Sequence, residues 1–117
     1  MLPPDKLWPI NSEWDYHAGG GQFRNIGVFT EAITKRYGPV KSAEEYARQA
    51  QVMAYEGHRA MFEAFGRNKY TSTGVIQWML NNAWPGMIWH LYDWYLRPGG
   101  SYFGAKKACE PLHVQYS

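Results

Sequence analysis

The stretch "GVIQWMLNNAWP" at Gly74 to Pro85 limits the possible folds more than any other. Val75, Ile76, Trp78, Met79 and Leu80 leave Gln77 as the only polar side chain of the run. A strand with one wet face alternates polar and apolar residues, whereas a strand covered on both faces reads as an unbroken apolar run, as in a parallel sheet. Such a strand needs neighbours along both edges to satisfy its N–H and C=O groups. No other part of the 117-residue chain offers them. "LHVQYS" at Leu112 to Ser117 alternates like the start of a strand, but it is short and comes last. The pattern predicts an α/β chain, mostly helical with one parallel strand, that is one piece of a larger layered domain or assembles with something that completes its sheet.

The helices have clear local signals. Asn25 can cap a helix whose Val28, Phe29, Ala32, Ile33 and Tyr37 share a face, and Gly38-Pro39 stops it. "SAEE" at Ser42 to Glu45 has the form of a capping box. After it, Ala43, Tyr46, Ala47, Ala50, Met53, Ala54, Gly57, Ala60, Met61, Ala64 and Phe65 make one stripe. Glu44, Arg48, Gln51, Glu56, Arg59 and Glu63 occupy the opposite face, and Gly66 is the expected end. Residues 86–96 read as a short helix or helical turn before Pro98-Gly99-Gly100, and Ser101 to Cys109 as a further short helix that Pro111 breaks. Residues 1–24 read as irregular, and an irregular segment of that length is usually functional. This one carries Trp8, Trp14, Tyr16 and His17.

Several function classes find little support. The formal charge is +2 and the basic residues do not cluster, which argues against a dedicated nucleic-acid or anionic-membrane surface. No apolar stretch approaches the roughly 18 residues of a membrane span. "MLPPDKLWPI" lacks the basic and apolar regions of a signal peptide, so no targeting signal is read and the compartment stays open, secreted and periplasmic included. Cys109 is the only cysteine and is expected as a small buried side chain. His17, His58, His90 and His113 show no metal-ligand spacing. "HAGGGQ" has neither the preceding strand nor the Lys-Ser/Thr ending of a phosphate loop. No metal or cofactor is expected. What stands out is an aromatic content of 17%, with six Trp and nine Tyr. These side chains build cores, but they also make flat platforms suited to sugar rings or single-stranded bases.

Residues 73–117, "TGVIQWMLNNAWPGMIWHLYDWYLRPGGSYFGAKKACEPLHVQYS", resemble the last strand and last helix of the catalytic barrel in glycoside hydrolase family 2. The similarity is greatest to the exo-β-D-glucosaminidase branch, with the β-mannosidase branch next. Asn81-Asn82-Ala83-Trp84-Pro85 is similar to the wider family's strand-Asn-Asp-x-Trp-Pro pattern, and "LWPINSEWDYHAGGG" and "YEGHRAMFEAFGRNKYTSTG" also resemble the glucosaminidases. The resemblance implies the C-terminal segment of a (β/α)8 TIM barrel over residues 1–111, with 112–117 starting the first strand of a following β-sandwich. It also implies a retaining mechanism, in which two carboxylates about 5 Å apart act as nucleophile and acid/base. The family places both before the position of Met1, so no catalytic residue is expected here. Of the ten carboxylates only Glu13 and Asp15, in the aromatic loop, come up as a pair. The expected partners are an oligosaccharide substrate of the intact enzyme and the rest of the barrel.

On this reading Asn81, Asn82 and Trp84 follow the strand's C-terminal end, which in a parallel barrel faces the chemistry. The amides would bond sugar hydroxyls and the indole would stack on a ring. Trp14, Tyr16 and His17 would line the pocket rim. The competing reading is structural: the amides shape a turn and the loop packs its own aromatics. Trp78, inside the strand, is expected in the core. The function expected of the parent is release of terminal β-linked glucosamine from chitosan-type chains. The alternatives are a β-mannosidase parent, a stand-alone carbohydrate-binding or interaction module and, on aromatics alone, a single-strand nucleic-acid binder.

Overall fold

The computed structural model describes residues 2–116. A 3-10 turn at Pro4–Lys6 is followed by four α-helices: α1 (Ser12–Tyr16), α2 (Gly27–Tyr37), α3 (Ala43–Arg67) and α4 (Gly100–Ala108). The first segment is thus less irregular than expected. Asn11 organises it: its Oδ1 accepts the Glu13 N–H at 2.9 Å to cap α1, and its Nδ2 donates to the Lys6 and Pro9 carbonyls. Asp15 Oδ1 then accepts the Ile26 N–H at 3.1 Å, joining α1 to the start of α2. Asn25, expected as the cap, stands one residue too early: Ile26 is the N-cap and has no side-chain cap bond, while Asn25 Oδ1 accepts the Gly27 N–H at 3.0 Å. Gly38 ends α2 at a φ of 92°, a conformation that favours glycine.

Ser42 caps α3 by accepting the Glu45 N–H at 3.2 Å, while Glu45 takes the Lys41 N–H at 2.9 Å. The helix runs through Gly66 to Arg67, where Asn68 closes it by donating to the Ala64 carbonyl at 2.8 Å. Trp14, Ala18, Ile26, Ile33 and Tyr46 form the buried core, which draws together α1, α2 and the first half of α3. Trp14 meets Tyr46 edge to face with ring centroids 5.3 Å apart, and the Tyr46 hydroxyl pairs with Thr30 Oγ1 at 2.9 Å.

Two glycines let α4 lie against α3. A Cβ at Gly100 would stand 2.0 Å from the Gln51 carbonyl oxygen, and one at Gly104 would stand 2.2 Å from that of Tyr55. The small residues that permit close approach are therefore on α4. The α3 surface they meet runs through Gln51, Tyr55 and Arg59, two of which were expected on the solvated face. The small-residue stripe of α3 divides instead. Its first half packs through Tyr46, Ala50 and Met53, and its second half leaves Gly57, Ala60, Met61 and Ala64 exposed.

The expected parallel strand does not form. Among the described residues there are isolated bridges only, Gly20 with Phe23, Asn81 with Tyr92 and Tyr92 with Pro98. Val75 to Leu80 has no ladder to join, and Ile76, Trp78 and Leu80 are 95%, 72% and 62% exposed. Trp78 is therefore not a core residue of this chain. The far end of the run folds back on itself, with the Leu91 and Tyr92 N–H groups donating to the Leu80 carbonyl. Residues 86–96 form turns and bends rather than a helix, because Asp93 Oδ1 takes the N–H groups of Tyr95 and Arg97 and so closes a loop. Cys109 is exposed, contrary to expectation, because it caps the end of α4 after the packed face has passed. The expected strand start has no regular secondary structure over 113–116, and Ser117 lies outside the described residues.

Candidate functional site

The tight end of α1 and the turn after Leu80 bring three aromatic rings together. His17 stacks on Trp84 with centroids 5.3 Å apart and planes 16° apart. Tyr16 stands edge-on to both, 5.5 Å from Trp84 and 5.3 Å from His17. The cluster is tied by backbone. His17 Nδ1 lies 2.7 Å from the Pro85 carbonyl, an obligate acceptor, so Nδ1 carries the proton. The Met87 N–H returns a bond to the His17 carbonyl at 2.9 Å. Tyr16 is 70% exposed and Trp84 41%, so both present ring surface to solvent.

Beside these rings lies an open groove of about 480 Å³, lined by Asp15, Tyr16, Ala18, Gly19, Gly20, Arg24 and Trp84. Gly20 and Gly21 take positive φ, 72° and 55°, where the chain doubles back to pair Gly19 with Phe23. The groove thus has two aromatic walls, a carboxylate and a guanidinium, a mixed surface suited to an uncharged or zwitterionic polar ligand with one apolar face.

Two of the expected contact residues are elsewhere. Trp14, next but one to Tyr16, points inward, is 7% exposed and donates its indole N–H to the Leu7 carbonyl at 3.2 Å. Asn82 is 4% exposed, and its Nδ2 donates to the Gly86 carbonyl at 3.0 Å and to His90 Nδ1 at 2.6 Å. Both side chains are taken up by the packed structure of this chain. Asn81 is exposed, with its side-chain amide 3.4 Å from the Asn82 carbonyl.

Arg24, Gly19 and Gly20 line the groove without having been singled out; the only signal was their place between an aromatic loop and a helix cap. His90 was dismissed as a metal ligand, yet it is the partner of Asn82. Burial holds its pKa below the usual histidine value. No group of three or more His, Cys, Asp or Glu side chains among the described residues could hold a metal. One Asp15 oxygen is committed to the Ile26 N–H. No helix among the described residues is long and apolar enough to cross a membrane.

No family model matches the chain. Sequence relatives do. The exo-β-D-glucosaminidase of Amycolatopsis orientalis is 45% identical over 97% of this chain, which covers 11% of that enzyme. The exo-β-D-glucosaminidase of Streptomyces avermitilis is also 45% identical, over 100% of this chain and 14% of its own length. The mannosylglycoprotein endo-β-mannosidase of Lilium longiflorum is 28% identical over 90% of this chain and 11% of its own. The crystal structure of the Amycolatopsis orientalis exo-chitosanase superposes with a TM-score of 0.86 at 40% identity, covering 99% of this chain and 15% of that one. A variant of that enzyme in complex with PNP-β-D-glucosamine matches at a TM-score of 0.85 and 41% identity, over 99% and 15% of the two chains. In sequence and in backbone, the chain is a homologue of one segment, about a seventh of the length, of the exo-β-D-glucosaminidases.

Proposed function

We propose that this chain is the C-terminal segment of the catalytic (β/α)8 barrel of a retaining glycosidase, with residues 1–111 in the barrel and 112–117 leading into a β-sandwich. The parent releases terminal β-linked glucosamine from chitosan-type oligosaccharides. The observation that carries this reading is the full-length superposition on the exo-chitosanase at 40% identity. The exposed run at Val75 to Leu80 supports it, because that run is patterned for two flanking strands. The β-mannosidase alternative is weaker, at 28% identity against 45%.

In the parent, this segment supplies sugar contacts and no catalytic carboxylate. Trp84 and Tyr16 offer apolar faces to the C–H face of a pyranose ring, while the His17 ring holds Trp84 in place by stacking. Asn81 has a second amide hydrogen, beyond the one directed at the Asn82 carbonyl, for a hydroxyl. The bond-breaking carboxylates come from other strands, since a retaining pair must stand about 5 Å apart across the glycosidic bond.

The test uses two proteins. The 117-residue chain alone gives no p-nitrophenol release from PNP-β-D-glucosamine. A longer polypeptide that includes this segment does, and Trp84→Ala in it lowers kcat/KM by about 10- to 100-fold, equal to about 1.4–2.7 kcal/mol of transition-state binding. Turnover by the short chain that Glu13→Gln abolishes would overturn the proposal, and calorimetric binding of chitosan oligomers by the short chain would favour a stand-alone module.

A further inference from the structure

Trp84 is carried by a turn, Asn82 to Met87, that has no regular secondary structure to hold it. An exposed indole on such a turn would ordinarily sample several rotamers, and ordering it on a ligand would cost binding free energy. Here the turn is held from two sides. On one side His17 binds it twice, through the Pro85 carbonyl at 2.7 Å and the Met87 N–H at 2.9 Å. On the other side the Asn82 side chain spans it from within, donating one Nδ2 hydrogen to the Gly86 carbonyl at 3.0 Å and the other to His90 Nδ1 at 2.6 Å. His90 is itself fixed to the fold: Ser101 Oγ, in the first turn of α4, donates to its carbonyl at 2.6 Å.

This arrangement sets the amide orientation of Asn82. An oxygen turned toward the Gly86 carbonyl would place two acceptors together, so the nitrogen must face it, and the second hydrogen then needs an acceptor in a buried place. His90 Nδ1, 2.6 Å away, serves as that acceptor in the neutral tautomer that carries its proton on Nε2. The chain of bonds runs from α4 through Ser101, His90 and Asn82 to Gly86, two residues from Trp84. We propose that Asn82 and His90 are positioning residues that preorganise the Trp84 ring, with His90 acting as the acceptor that locks the Asn82 amide. The role does not depend on which ligand Trp84 meets, so it is tested without one.

The experiment is an NMR relaxation measurement on the chain labelled with ¹⁵N-tryptophan, which reads each indole N–H separately, with Trp84 assigned from Trp84→Phe. Trp14, tied to Leu7 in the core, reports the fold. In the unaltered chain both indoles behave as rigid, with order parameters near about 0.85. Asn82→Asp, which keeps the shape but removes both donors, and His90→Leu, which removes the acceptor, drop Trp84 below about 0.6 while Trp14 stays rigid. His90→Gln, whose amide oxygen can accept from Asn82, keeps Trp84 ordered. The proposal is overturned if Trp84 stays rigid in both disruptive variants, or if Trp14 and Trp84 lose order together in both, since the pair would then serve only general stability. Because no sugar is present, a negative result leaves the glucosaminidase reading standing, and a failed turnover assay leaves this one standing.

Discussion

His113 Nε2 lies 2.8 Å from Glu63 Oε1, the same carboxylate oxygen that accepts the Arg59 Nε–H at 2.7 Å. Two donors on one oxygen, from α3 itself and from the extended tail, fasten the end of the chain to the helix. The Gln115 side chain adds a bond to the Glu63 carbonyl at 3.0 Å. The alternate residues Leu112 and Val114 face solvent, 88% and 86% exposed, so apolar contact contributes little to holding the tail.

The Arg59 bond, helped by His113 and opposed by burial, holds the Glu63 carboxyl below its ordinary value of 4.5. The folded state therefore keeps the carboxylate ionised to lower pH than the unfolded state does. The contribution is complete above about pH 4.5 and is lost as the pH falls through the depressed value. Glu63→Leu, which removes the acceptor, should loosen the tail at every pH, lowering the NMR order parameters of residues 113–115 while α2 and the Trp14 core are unchanged. Unchanged order in the tail would show that Glu63 does not fasten it.

His90 gives a pH dependence of the same sign at higher pH. Its burial, with a smaller push from His58 on α3, outweighs a hydrogen bond to the Ile88 backbone and the attraction of Asp93, and holds its pKa below 6.5. Unfolding lets the ring take up a proton that the folded state refuses, so the unfolded state binds more protons just below that value. Stability is complete above about pH 6.5 and declines as the pH falls toward the folded pKa. Thermal melts between about pH 5 and pH 8 should show a midpoint that falls on the acid side. His90→Gln should flatten this part of the profile, and a profile that His90→Gln leaves unaltered would remove His90 as its cause.

The parts legible in the sequence are those governed by near neighbours. Ser42 with Glu45 before α3 and Gly38 after α2 are each settled within four residues, and each does what its position suggests. Val75 to Leu80 shows the limit. Its pattern calls for neighbours, but a ladder is nonlocal, and without one the run is left irregular and exposed. Residues 86–96 have helical composition, yet one carboxylate, Asp93, captures two backbone N–H groups and closes a loop instead. At the site, Tyr16 and Trp84 line the groove while Trp14 and Asn82 turn inward. The sequence does not separate the two pairs, because the choice between core and groove depends on Tyr46 and His90, which lie on other elements.

The close packing of α4 on α3 predicts a contrast between two glycines. Gly104→Ala puts a methyl group 2.2 Å from the Tyr55 carbonyl oxygen, a backbone atom that cannot swing aside. The helices must separate, at a cost of about 1–3 kcal/mol. Gly57→Ala, in the interior of α3, meets no atom within 4 Å. It should stabilise the chain by about 0.5–1 kcal/mol through helix propensity. Urea denaturation of the two variants measures both signs. Equal effects would mean that α4 is not seated on α3 as described.

The uncovered run predicts that context decides the effect of one substitution. Ile76 is 95% exposed, and Val75, Trp78 and Leu80 beside it are also open to solvent. Single exposed apolar residues are ordinary, but a contiguous band of four invites association. Ile76→Lys removes little packing from the isolated chain, so its thermal stability should change by no more than about 0.5 kcal/mol. The charge should also reduce concentration-dependent self-association, seen by sedimentation velocity. In a longer polypeptide that completes the barrel, the same lysine would be forced between strands and layers without a partner, and the cost should rise to several kcal/mol. If Ile76→Lys destabilises both forms equally, the segment is already buried in the short chain and the completed-sheet reading fails. If it destabilises neither, Ile76 is not a sheet position at all.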